Sequence, residues 1–211
     1  MKLYMRPIAP NAVKVFVFAA ERGVTLDTVD VGTLSEAEYR RINPLLQIPV
    51  LETDDGLLIA ESLTICRYLD EVTPGTSLFG ATPQERATVS MWERRAERML
   101  MDPAIEYGHH CQPMFIGALT QFPEWARDNL RHAHKLLPVM EQQLADNRFL
   151  AGDDFTMADI TAFLGYAGLV AWGAIEAIAS SNLRRWSSEV SARPSMEPFH
   201  MLQRQFGLRS L

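Results

Sequence analysis

The sequence predicts an α/β N-terminal domain followed by an all-helical C-terminal domain. Three observations lead there. Strand-like and helix-like segments alternate over about residues 1–76; a hairpin signal, Asp54-Asp55-Gly56, lies inside that stretch; and from residue 85 to residue 211 the apolar spacings are helical. With 211 residues and 47% hydrophobic content, the chain can withdraw roughly 70% of its extended surface from water.

Each element has its own justification. Residues 2–5 form a short strand, which Pro7 and Pro10 end. From Pro10 an apolar face recurs at Val13, Phe16, Val17 and Ala20, the i, i+3, i+4, i+7 pattern of a helix, and Gly23 fits its stop. Leu26 to Val31 alternates apolar and polar residues as a strand does. Ser35 with Glu38 makes a capping box for a short helix that ends before Asn43-Pro44. Residues 49–53 and 57–60 flank the Asp-Asp-Gly turn as two antiparallel strands. Ser62 is expected to cap a helix carrying Ile65, Leu69 and Val72, which Pro74-Gly75 stops. The order βαβ-α-ββα yields one mixed four-stranded sheet, because a helical crossover joins parallel strands and a tight hairpin joins antiparallel ones. This is the thioredoxin-like arrangement.

Residues 71–84 hold Pro74, Gly75, Gly80 and Pro83 and read as a linker. Thr82 to Glu85 is a second capping box, opening a long helix with Val89, Trp92, Ala96, Met99 and Leu100 on one face. Pro123-Glu124 opens another, which Pro138 is expected to kink. Thr156 and Asp159 cap the most apolar helix of the chain, and two more helices cover about 182–191 and 195–206.

Composition narrows the function. Twenty Lys and Arg stand against 26 Asp and Glu, a net charge of −6, so nucleic-acid binding by phosphate neutralisation is not expected. Two cysteines, Cys66 and Cys111, form no C-x-x-C and suit a reducing compartment. The start of the chain lacks the apolar run of a secretion signal. Ile160 to Ala179 is apolar enough to suggest a membrane span, but Gly165, Gly168 and Gly173 interrupt it, so a buried core helix is expected. The reading is a cytoplasmic protein with no membrane partner and no bound metal. His109-His110-Cys111 looks metal-like, yet adjacent helical residues point about 100° apart and no carboxylate completes a set.

A small thioredoxin-like domain ahead of a helical one resembles the glutathione transferase family, and specific residues carry the likeness. They are Ala9-Pro10-Asn11 with Lys14-Val15, the run Ile42-Asn43-Pro44-Leu45-Leu46-Gln47-Ile48-Pro49-Val50-Leu51, then Glu61-Ser62, and Phe155-Thr156-Met157-Ala158-Asp159 in the helical half. The resemblance implies a cis Ile48-Pro49 bond and an Ile48 backbone that pairs with the extended tripeptide. It also implies a γ-glutamyl site at Glu61-Ser62. There a helix N-terminus and the Ser62 hydroxyl meet a carboxylate while Glu61 meets an ammonium; the plain alternative is a simple N-cap. Gln47 can reach the same peptide, or can be a solvated loop residue.

At the sulfur the sequence departs from the serine-type enzymes, whose hydroxyl position falls on Ala9. Pro10-Asn11 resembles instead the nu-like bacterial group, and Asn11 is the catalytic candidate, unless it serves only as a turn residue. Its amide donates but cannot act as a base. A charge-assisted hydrogen bond of ~1.5–3 kcal/mol and a helix N-terminus worth ~0.3–1 kcal/mol lower a thiol pKa by about 1–3 units. Tyr107, His110, Cys111 and Met114 are candidates for a hydrophobic wall that meets the electrophile. Tyr4 and Cys66 read as packing residues, and Arg94-Arg95 with Glu93 and Glu97 as solvated or at a subunit contact.

The expectation is a homodimeric transferase that conjugates glutathione, as co-substrate, to small hydrophobic electrophiles in detoxification, with no tightly bound cofactor. The alternatives are a glutathione-dependent disulfide reductase or peroxidase, and a non-catalytic regulatory or binding protein on the same fold.

Overall fold

The computed structural model describes residues 1–7 and 9–209. It divides into two units, Met1–Ser77 with Pro194–Leu202, and Leu78–Arg193 with the segment from Gln203. The expected domains, 1–76 and 85–211, differ from these units in that residues 194–202 join the first.

In the first unit β1 (Lys2–Met5), α1 (Pro10–Glu21), β2 (Asp27–Asp30), α2 (Glu36–Ile42), β3 (Val50–Glu52), β4 (Leu58–Ala60) and α3 (Ser62–Val72) follow in the expected order. The sheet order is β2-β1-β3-β4. β1 runs parallel to β2 and antiparallel to β3, with Leu3 opposite Thr28 and Leu51, and β3 pairs antiparallel with β4. Leu3, Leu51, Val15, Val17 and Phe18 are buried together with Ile65, Cys66 and Leu69 of α3. Each fully buried side chain of this size contributes ~1.5–3 kcal/mol. Cys66 is therefore a core residue.

The far ends of α1 and α3 are tied by a contact with no local signature. Arg22, just past α1, places Nε 3.2 Å from Asp70 Oδ1, both side chains being about nine-tenths buried or more. Its Nη2 donates to the Thr73 carbonyl at 2.6 Å and its Nη1 to that of Thr76. A cation here satisfies the carbonyls a helix end leaves open.

The second unit is helical: α4 (Pro83–Ala96), a π-helical turn (Glu97–Met101), α5 (Asp102–Cys111), α6 (Pro123–Asp146), α7 (Met157–Ala171) and α8 (Ser181–Ser191); α9 (Glu197–Phe206) ends the chain's regular structure. The expected long helix after Thr82 thus runs from Pro83 to Cys111, with a π-helical turn at Glu97–Met101 inside it. Gly165 of α7 sits against that turn so closely that a Cβ there would lie 2.6 Å from the Met101 nitrogen. α6 runs on through Pro138 to Asp146. All of α7 but one residue is buried, and among the described residues no helix is long and apolar enough to cross a membrane.

One expectation about a polar residue is corrected here and another, the packing of Tyr4, is extended. Glu93 is not solvated: it is 2% exposed and accepts from the Thr161 hydroxyl at 3.3 Å, so α4 and α7 meet across it. Tyr4 does more than pack, since its hydroxyl donates to Glu52 Oε2 at 2.6 Å on the neighbouring strand.

Candidate functional site

Three short segments of the first unit carry the residues that the sequence singles out for glutathione. The first is the start of α1. Ala9 occupies the N-cap with extended backbone and Pro10 the first helical position, so the helix begins without a side-chain cap. Asn11 follows, partly exposed.

The second is the start of α3, where the structure corrects the expected cap. Glu61, not Ser62, is the N-cap residue: its carbonyl accepts from the Ile65 N–H at 2.9 Å, and Ser62 is the first helical residue. Glu61 adopts φ 69°, ψ 116°, a left-handed conformation that costs a non-glycine residue of order 1–3 kcal/mol. This geometry leaves the Glu61 side chain exposed while Ser62 is buried. The Ser62 hydroxyl then turns to α1 and donates to Asn11 Oδ1 at 3.2 Å. With its carbonyl oxygen so engaged, Asn11 keeps its amide N–H groups for another partner. Two residues assigned separately by the sequence, 51 positions apart, meet in one hydrogen bond.

The third segment joins α2 to β3. The Ile48-Pro49 bond is cis. Pro49 is buried, Ile48 half-buried and the Gln47 side chain exposed. The loop is built from within by Asn43, which is 6% exposed. Asn43 Oδ1 accepts the Leu45 N–H at 3.1 Å and its Nδ2 donates to the Gln47 carbonyl at 2.7 Å. The Tyr39 hydroxyl donates to that same carbonyl at 2.7 Å. Burial pushes the Tyr39 phenol up to about 12, so it remains a donor throughout the ordinary pH range. Sequence reasoning gave neither residue a role, although Asn43 directly before a proline is the residue type that closes such turns.

The candidate wall residues lie in the second unit. His110 Nε2 sits 3.2 Å from Glu106 Oε2, and its Nδ1 accepts the Phe122 N–H at 3.3 Å. Its ring meets Trp125 edge-on at 5.3 Å. Cys111 Sγ lies 3.8 Å from the Pro123 carbonyl, and burial raises its thiol pKa. The structure therefore brings His110 and Cys111 together against the start of α6. Tyr107 is half-buried on α5, and Met114 stands in the following turn, 51% exposed. Burial holds neighbouring His109 below its usual pKa while it packs on Phe115. Among the described residues no group of three or more His, Cys, Asp or Glu side chains is placed to hold a metal ion.

Comparison with known proteins gives the family. Residues 8–72 match the model of the glutathione S-transferase N-terminal domain and residues 100–194 that of its C-terminal domain. The chain belongs to the glutathione S-transferase family. It is 34% identical to glutathione S-transferase 2 of Saccharomyces cerevisiae, with 93% of this chain and 88% of that protein covered. A glutathione S-transferase domain-containing protein from Marinobacter aquaeolei superposes with a TM-score of 0.84 at 37% identity, covering 93% of this chain and 100% of that one. A Gtt2-class enzyme from Vibrio parahaemolyticus superposes at 0.80 and 31% identity, covering 93% and 96%. The family takes glutathione as co-substrate, and its N-terminal model spans Ala9, Asn11, the cis proline and Glu61-Ser62.

Proposed function

We propose that this chain is a glutathione transferase that adds the glutathione thiolate to small hydrophobic electrophiles. The observation that carries the reading is the Ser62–Asn11 hydrogen bond, which draws the open starts of α1 and α3 together. The γ-glutamyl ammonium is taken by exposed Glu61 and its carboxylate by the α3 N-terminus beside Ser62. The Ile48 backbone, with Gln47 and Pro49 next to it, takes the cysteinyl segment in extended form. Asn11, its oxygen turned to Ser62, donates an amide N–H to the sulfur and favours the thiolate without acting as a base. The electrophile is assigned to the surface bearing Tyr107, His110, Cys111 and Met114. No metal or tightly bound cofactor enters the reading. A cytoplasmic homodimer engaged in detoxification is its setting.

Calorimetric titration with glutathione, followed by a panel of electrophiles and disulfides, tests it. Binding with turnover of aryl or alkyl halides is the expected result. Turnover of disulfides alone would make the protein a reductase, and no heat at 10 mM glutathione, about ten times a millimolar Kd, would leave a regulatory protein on the same fold.

A further inference from the structure

The Gln47 carbonyl is held by two side chains at once. Asn43 Nδ2 and Tyr39 Oη each donate to it at 2.7 Å, which occupies both of its lone pairs. Both donors come from the end of α2: Tyr39 is buried in its last turn, and Asn43 follows it, its own N–H bonded to the Tyr39 carbonyl at 2.8 Å. Asn43 is further fixed by the N–H groups of Leu45, to its side chain, and of Leu46, to its carbonyl at 2.9 Å. Leu46 takes φ 57°, a conformation that tertiary bonds must maintain in a residue other than glycine.

The Gln47 C=O and the Ile48 N–H belong to one planar peptide unit. In a trans unit the two point in opposite directions, and in this region the cis bond is the next one, Ile48-Pro49. A carbonyl pinned toward Asn43 and Tyr39 therefore fixes the Ile48 N–H on the other side. We propose that Asn43 and Tyr39 are positioning residues for the co-substrate: by gripping the Gln47 carbonyl they aim the Ile48 N–H at a backbone carbonyl of the bound tripeptide. This rests on the glutathione reading above and adds to it the device that orients the backbone donor. Neither side chain needs to touch the ligand.

The test uses S-methylglutathione, whose blocked sulfur removes thiol chemistry from the measurement, with calorimetry and the amide NMR signal of Ile48. Tyr39→Phe removes one donor and changes no charge. Asn43→Asp keeps the oxygen that accepts from Leu45 and replaces the donor with an oxygen that repels the carbonyl. Binding to wild-type protein should move the Ile48 amide proton downfield. Tyr39→Phe should weaken binding roughly two- to tenfold and shrink that downfield change; Asn43→Asp should do both more strongly. If Asn43→Asp does not fold, Tyr39→Phe decides alone. Equal affinity and an equal Ile48 shift in a folded Tyr39→Phe protein would overturn the positioning role. Weaker binding with the Ile48 change intact would overturn it too, by showing a general loss of shape. Failure of wild-type protein to bind S-methylglutathione would instead bring down the glutathione reading on which it stands.

Discussion

The starts of α3 and α7 face the same problem and solve it in opposite ways. Every helix begins with N–H groups that lack partners within it. At α7 the protein closes the start from its own chain: the Met157 N–H donates to the Leu78 carbonyl at 3.0 Å, and the Thr156–Asp159 capping box fixes the first turn. Asp159, fully buried, accepts from the Thr156 N–H and hydroxyl with one oxygen, both at 3.0 Å. With the other it accepts from the Leu150 N–H at 3.0 Å and Trp186 Nε1 at 2.9 Å. Burial pushes this carboxyl up while the four donors draw it back. At α3 the cap residue is Glu61, held at positive φ with no side-chain bond to the helix, and the adjacent hydroxyl is turned to Asn11. A helix start closed by its own chain has nothing to offer a ligand. One whose side chains point elsewhere can receive an anion. The first is architecture and the second is the site we propose.

The largest effect that can break this contrast is at the closed start. Asp159→Ala leaves three buried N–H donors without an acceptor, each costing ~1–3 kcal/mol, and a loss of about 3–5 kcal/mol is expected. At roughly 2–4 °C per kcal/mol in a chain of this size, the melting temperature should fall by about 6–20 °C. Thermal unfolding followed by circular dichroism measures it. An unchanged melting temperature with turnover lost would place Asp159 in the chemistry and erase the distinction.

At the open start the expectation is reversed: binding suffers and stability does not. Glu61→Ala leaves the ligand ammonium unpaired at a cost of ~1.5–3 kcal/mol, a tenfold to hundredfold loss of glutathione affinity. Because Glu61 is exposed, the melting temperature should hold. Calorimetry beside a melting curve separates the two, and a lower melting temperature with unchanged affinity would make Glu61 a structural residue after all.

What could be read from the sequence follows from distance along the chain. The capping pairs Ser35–Glu38, Thr82–Glu85 and Thr156–Asp159 are local, three residues apart, and the structure contains all three. The four strands were legible because alternation and an Asp-Gly turn are local as well. Ser62 was misplaced as the cap because nothing nearby announces that Glu61 takes a positive φ; a residue type that rarely does so gives no warning. The bonds that join α1 to α3, Ser62 to Asn11 at their starts and Arg22 to Asp70 at their far ends, span about fifty residues, and no periodicity encodes them. The long helix and the spacing of Met99 and Leu100 were legible, whereas the π turn at Glu97–Met101, against which Gly165 of another helix packs, has no local signal.

A smaller effect examines how the two parts of the open site divide their labour. Asn11→Ala should raise the pKa of the bound glutathione thiol by a unit or two, ~1.4–2.7 kcal/mol, and change affinity little, because the γ-glutamyl and backbone contacts remain. Ultraviolet absorbance of the bound thiolate followed against pH reads this directly. An unshifted pKa accompanied by weaker binding would assign Asn11, through its contact with Ser62, to the γ-glutamyl end of the ligand.

The smallest effect concerns the third helix start, that of α1, which is open for want of a side chain. Ala9 sits at the N-cap with φ −76° and ψ 120°, the extended backbone that a capping serine adopts. Ala9→Ser therefore places a hydroxyl where it can accept from the N–H groups of the first turn. It should stabilise the protein by about 0.5–1 kcal/mol, a gain of roughly 1–4 °C in melting temperature. The same hydroxyl stands next to the residue proposed to hold the sulfur, so the bound thiol pKa should stay where it is or fall. A protein that gains stability with its thiol pKa unmoved would show that α1 can be closed without touching the chemistry, which leaves Asn11 as the donor. Higher turnover with a lower thiol pKa would show that the introduced hydroxyl supplies a second donor to the sulfur, and that α1, like α3, is kept open on the side where the ligand lies.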